Sequence, residues 1–143
     1  MRKFYNIALS IAPLIIGGML YLGYRSQELL MFRWVNFLGL SNTVSSWRKI
    51  CFQHPLPEWC YYALPDGLWL LSYILLIDLI WQGNNYQYRV WVYVLPVIAI
   101  ASEFMQLLIP YIGTFDIMDV GCYLGAILLF EIKTRIEWKR KGF

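Results

Sequence analysis

Six residues of this 143-residue chain combine reactive or hydrogen-bonding side chains with a spacing that gathers them: Asp66, Glu103, Gln106, Asp116, Asp119 and Tyr123. Glu103 and Gln106 are three apart, as are Asp116 and Asp119, and Tyr123 follows Asp119 by four, so on helices each set lies along one face. All sit in or beside apolar runs, where a charge costs about 2.5–3.5 kcal/mol near the bilayer centre and marks function by default. Crowded carboxylates repel one another, so stable folding requires a shared proton, a metal ion or cationic partners. Arg25, Arg48 and Lys49 are the available cations, suited also to gripping a head group. Hard metal ions take oxygen ligands, but the spacing matches no ligand motif and the lone His54 lies between Gln53 and Pro55 in a polar connector. No metal and no cofactor is expected, and no Ser-His-Asp or Cys-His order stands out. Two blander roles stay open: Asp116 and Asp119 capping a helix N-terminus, and Glu103 making a buried bond between helices.

The elements that must position these residues are membrane helices. The chain is 59% hydrophobic, 18% aromatic and only 15% charged, whereas a soluble domain carries about 45–50% apolar and about 25% charged residues. Twelve basic and nine acidic residues are too few to cover a soluble surface, and the net charge of +3 arises mainly near the ends, without the basic stripe that nucleic acid requires. The expected fold is all-α, a single membrane domain over 1–143 made as a four-helix transmembrane bundle. The expected spans are Phe4–Tyr24, Asp66–Trp81, Val90–Ile109 and Asp116–Phe130. Phe4–Tyr24 follows Arg2 and Lys3 as a signal peptide would, but its length and the lack of an A-x-A site read as a retained helix.

Gln82–Arg89 and Pro110–Thr114 read as tight hairpin connections. The long connector from Arg25 to Pro65 has Leu30, Trp34 and Leu38 at helical spacing within Gln27–Leu40, which predicts an interfacial amphipathic helix. Ser41–Pro65, with its prolines and the rings of Trp47, Phe52 and Trp59, is expected to fold as a cap. Placing both termini in the cytoplasm puts eight Lys and Arg inside and four outside, the bias that orients multi-pass proteins. The cap then faces an oxidising compartment, where Cys51 and Cys60 either form a disulfide or stay free; Cys122 reads as packing. Asp66, Glu103, Asp116 and Asp119 fall in one outer layer, whereas Asp78 lies about 18 Å from Asp66 along its helix and is expected to pair with Arg89 or the N-terminal bases.

The stretch Glu103–Gly125 resembles the second half of VanZ-like membrane proteins: a Glu, a Gln three later, a Pro four beyond, then two Asp three apart and a small-residue helix, here Glu103, Gln106, Pro110, Asp116 and Asp119. The family's Arg after the Pro is Ile112 here, its later Asn is Tyr123, and its Asp followed by a His is Asp66 followed by Leu70. The resemblance implies a place of action at the cell envelope and a link with glycopeptide (teicoplanin-type) resistance, without a defined reaction.

Polar groups converging at one leaflet beneath a ring-rich cap favour a cytoplasmic-membrane protein that binds or remodels an amphiphilic lipid or lipid-linked envelope precursor. Two other functions stay open. One is an intramembrane hydrolase or transferase, with Glu103 or Asp119 as general base and Arg25 or Arg48 on phosphate, for which the sequence offers no evident nucleophile. The other is a small accessory subunit whose acids pair with a partner membrane protein's bases.

Overall fold

A computed structural model describes residues 2–81, 86–109, 111 and 113–140. Among them the chain forms seven helices and no strand: α1 (Arg2–Tyr24), α2 (Leu30–Phe37), α3 (Ser41–Gln53), α4 (Glu58–Tyr62), α5 (Leu64–Trp81), α6 (Tyr86–Leu108) and α7 (Ile117–Arg140). Three stretches, Phe4–Tyr24, Leu64–Trp81 and Tyr88–Leu108, are long and apolar enough to cross a membrane. Their surfaces are inverted relative to a soluble protein, with Ile11, Leu14, Ile15 and Ile16 on α1 and Val97, Ile98 and Leu108 on α6 pointing outward. In lipid these side chains cost nothing to expose.

The central helix is α5, which packs against α1, α6 and α7. Its sequence is apolar all round, as a helix surrounded by others must be. α1 runs antiparallel to it: the Ser72 hydroxyl donates to Ser10 O at 2.6 Å, and further along α1 but earlier on α5 a Cβ on Gly17 would lie 2.7 Å from Trp69 Nε1 and 3.2 Å from Pro65 O. Ser10, Pro13 and Gly17 form the buried stripe of α1, small residues that let two backbones approach in lipid. On the opposite flank, Gly67 of α5 touches Cys122 of α7 closely enough that a Cβ would stand 2.7 Å from Cys122 Cβ and 3.0 Å from its carbonyl oxygen. Below that contact Leu70, Ile74, Leu75, Tyr88, Val92, Tyr123, Ala126 and Phe130 make the buried core.

The connector between α1 and α5 is mostly helical, with α2, α3 and α4 joined by short turns. α2 ends on Gly39, whose φ of +70° suits glycine, with Gly39 N bonded to Asn36 O and Leu40 N to Val35 O, a Schellman closure. α2 buries Phe32 and Val35 and exposes Leu30, Trp34, Phe37 and Leu38, so its second apolar face is left for the surroundings. α3 and α4 lie where the sequence predicts only a folded cap. α3 opens without acid in its first turn or a side-chain cap, so it has few of the marks by which a helix start is recognised.

Arg89, assigned to a connection by its polarity, lies within α6, while 82–85 and Pro110 and Ile112 of the two hairpins fall outside the described residues. α7 continues ten residues past the expected end at Phe130, because Glu131, Lys133 and Glu137 find partners on the helix or its neighbours.

Candidate functional site

Four helix ends converge next to the cap: the C-terminus of α1, the N-terminus of α5, the last turns of α6 and the first turn of α7. They bring Arg25, Asp66, Glu103 and Asp119 into one layer, since Asp119 lies within electrostatic reach of Glu103, Asp66, Asp116 and Arg25, and Asp66 within reach of Arg25 and Glu103. Tyr123, buried one turn further along α7, is within reach of Asp66, Asp119 and Glu103. All six residues singled out by their spacing therefore belong to one region.

Their roles differ. Asp116 precedes the first residue of α7 and accepts from Met118 N at 2.8 Å, the geometry of an N-cap. Glu103 is only 6% exposed, and its Oε1 accepts from Gln106 Nε2 at 3.3 Å. Gln106 in turn lies against Gly113 in the α6–α7 connection, where a Cβ would stand 2.9 Å from its Oε1. The remaining atoms are without partners: Glu103 Oε2, Asp119 Oδ1 and Arg25 Nε are all buried and unbonded among the described residues. Each such group costs about 1–3 kcal/mol relative to a satisfied one, so the layer holds two acceptors and a donor that folding leaves unmatched.

Arg25 is held by aromatic faces, with its guanidinium carbon 4.6 Å from the Tyr62 ring centre and 5.3 Å from that of Tyr21. The Tyr21 contact follows from i,i+4 spacing, whereas Tyr62, arriving from α4, has no signal in the sequence. Arg48 turns away from the layer. It is buried, and its Nη1 donates to Leu22 O and Arg25 O, both at 2.8 Å, closing the end of α1. Lys49 points outward, as does His54, whose carbonyl accepts from the Tyr24 hydroxyl at 2.8 Å.

Cys51 and Cys60 are free thiols in this structure. Cys51 is committed elsewhere, its sulfur packed where a Cβ on Gly23 would come within 2.7 Å. Burial pushes its thiol above the ordinary value, opposed by the Tyr24 hydroxyl and the Arg48 charge. Among the described residues no three His, Cys, Asp or Glu side chains come together as a metal ion needs.

Asp78 also departs from expectation. Among the described residues its partners are not Arg89 but Lys133 Nζ, 2.6 Å from Oδ2, and the Tyr88 hydroxyl, 2.5 Å from Oδ1, while the side chains of Arg2 and Lys3 lie outside the described residues. The Tyr93 hydroxyl donates to Glu131 beside them. This second polar layer ties α5, α6 and α7 together at the end of the bundle opposite Glu103 and Asp119. Neither a scan of protein-family models nor searches of curated proteins and of solved structures find a match.

Proposed function

We propose that this chain is a four-span protein of the cytoplasmic membrane, VanZ-like in its last two spans, that binds or remodels an amphiphilic envelope molecule through the layer of Arg25, Asp66, Glu103 and Asp119. On this reading α7 is the fourth span, both termini are cytoplasmic, and the layer and cap face the outer leaflet. The observation that carries the reading is the buried, unpartnered pair of acceptors, Glu103 Oε2 and Asp119 Oδ1, beside the unpartnered Arg25 Nε. Two acceptors ask for a head group with N–H or O–H donors, such as an ammonium or a sugar or glycerol hydroxyl. One donor beside them asks for an acceptor oxygen, as on a phosphate. A lipid-linked molecule with both fits the layer, with its chains along the outward apolar faces.

Among the described residues the thiol near these carboxylates, Cys122, is packed against Gly67 of α5 and hydrogen-bonded to neither Asp66 nor Asp119, which favours binding over covalent catalysis. The test is lipid retention by the purified protein in native mass spectrometry, together with tolerance to teicoplanin and other envelope stress in cells. Glu103→Gln and Asp119→Asn variants that insert normally should lose the retained amphiphile and any tolerance conferred. Full retention and full tolerance in both variants would overturn the reading.

A further inference from the structure

A second site lies at the other end of the bundle. Between the start of α6 and the last turns of α7 opens a crevice of about 590 Å³. Its deep wall is apolar, formed by Val92 at 1% exposure and Phe130 at 3%. Towards the helix ends the lining changes character: Arg89 stands three residues before Val92 on α6, and Arg135 and Lys139 follow Phe130 on α7, with the exposed ring of Trp138 between them. Both walls thus grade in the same direction, from hydrocarbon to cation, with an aromatic ring at the boundary.

The charge is unbalanced. Among the described residues three cations face one carboxylate, Glu131, which already accepts from the Tyr93 hydroxyl. The ion pairs of the described residues, Lys133 with Asp78 and with Glu137, use none of the three. Arg89 precedes Glu103 by fourteen residues on α6, about 21 Å of helix rise, so this crevice is separate from the carboxylate layer and does not depend on its ligand.

We propose that the α6–α7 crevice is a binding site for an anionic phospholipid, with the phosphate among Arg89, Arg135 and Lys139 and an acyl chain against Val92 and Phe130. The shared chemistry is a phosphate group. The apolar inner wall and a volume far beyond that of a phosphate ion favour a lipid of the surrounding leaflet over a free phosphate.

The experiment presents the protein in detergent with phosphatidylglycerol, phosphatidylcholine or glycerol 3-phosphate and reads retention by native mass spectrometry. Phosphatidylglycerol should be retained over phosphatidylcholine, with a preference that falls as salt is raised. At about fivefold per cation, an R89Q/R135Q/K139Q variant should lose roughly a hundredfold in affinity. All three side chains are exposed, so the variant should keep its helical circular dichroism, and R89K/R135K should keep most of the binding. Glu103→Gln should leave phosphatidylglycerol retention unchanged even if it abolishes binding at the carboxylate layer. Equal retention of the two lipids, an unaffected triple variant, or displacement by glycerol 3-phosphate at concentrations matching the lipid would overturn the proposal.

Discussion

Lys133 on α7 and Asp78 on α5 form an ion pair of 2.6 Å across 55 residues of chain, with only 18% and 15% of their side chains exposed. Neither helix can shift along the other without separating the two charges in a poorly solvated place. Asp78→Ala should cost about 1–3 kcal/mol, below the range for a fully buried pair because some solvent reaches the site. It also strands the Tyr88 hydroxyl, which donates to the same carboxylate. Unfolding in mixed micelles checks this, with a D78A/K133A double variant expected to cost less than the sum of the singles.

Arg48 closes the end of α1 from a different helix, and its guanidinium also lies 5.2 Å from the Phe32 ring centre and 5.3 Å from that of Phe52. It therefore pins α2 and α3 to α1. Arg48→Ala should destabilise the cap by about 1–3 kcal/mol through two lost charge-assisted bonds, with Arg48→Lys losing less. Limited proteolysis between residues 41 and 63 should accelerate in the Ala variant while the transmembrane fragments stay intact.

Gly67 and Gly121 make a matched pair of opposite expectation. A methyl on Gly67 meets the backbone and Cβ of Cys122, neither of which can swing aside, whereas nothing lies within 4 Å of a methyl on Gly121. Gly67→Ala should push α5 and α7 apart and cost about 1–3 kcal/mol. Gly121→Ala should be neutral or slightly stabilising, as expected for Ala over Gly within a helix. Thermal unfolding of the two variants side by side decides it.

Glu103→Gln should leave stability unchanged or raise it while removing ligand retention. The amide replaces a buried, partly unpaired carboxylate with a neutral group of the same shape, relieving repulsion from Asp66 and Asp119. A loss of both stability and binding would identify Glu103 as a structural residue instead.

Cys51 provides a pH readout of the cap. Its raised thiol pKa means that the folded state favours the neutral form, so its contribution to stability is present below the ordinary thiol range and lost as pH rises through the elevated value. Alkylation by N-ethylmaleimide, which consumes the thiolate, should be slow at Cys51 near neutral pH and accelerate only in more alkaline buffer. Peptide mapping after timed alkylation separates Cys51 from the less buried Cys60.

The membrane helices were legible because apolar length is itself the signal: α1 and α5 end where the sequence places them, at Tyr24 and Trp81. The gathering of Glu103, Asp116 and Asp119 was legible too, from i,i+3 spacing and a short connection. What was hidden is pairing across long separations. Nothing local in Asp78 favours Lys133 over Arg89, and the choice depends on α7 running past Phe130 beside α5. Arg48 reads from the sequence as a cation for the carboxylate layer or a head group, and only the docking of α3 on α1 turns it instead to the carbonyls of Leu22 and Arg25. A cluster of acids is visible from sequence, but which of their oxygens are left unbonded is set by packing.

The bond from Ser72 to Ser10 spans 62 residues. At about 5–20 residues per second of synthesis, the first helix waits roughly 3–12 seconds before its docking partner exists. During that interval the stripe of Ser10, Pro13 and Gly17 lacks the helix that buries it in the folded chain. Docking of α1 therefore waits on α5, the second of the three long apolar stretches to be made and the one against which α1, α6 and α7 all pack.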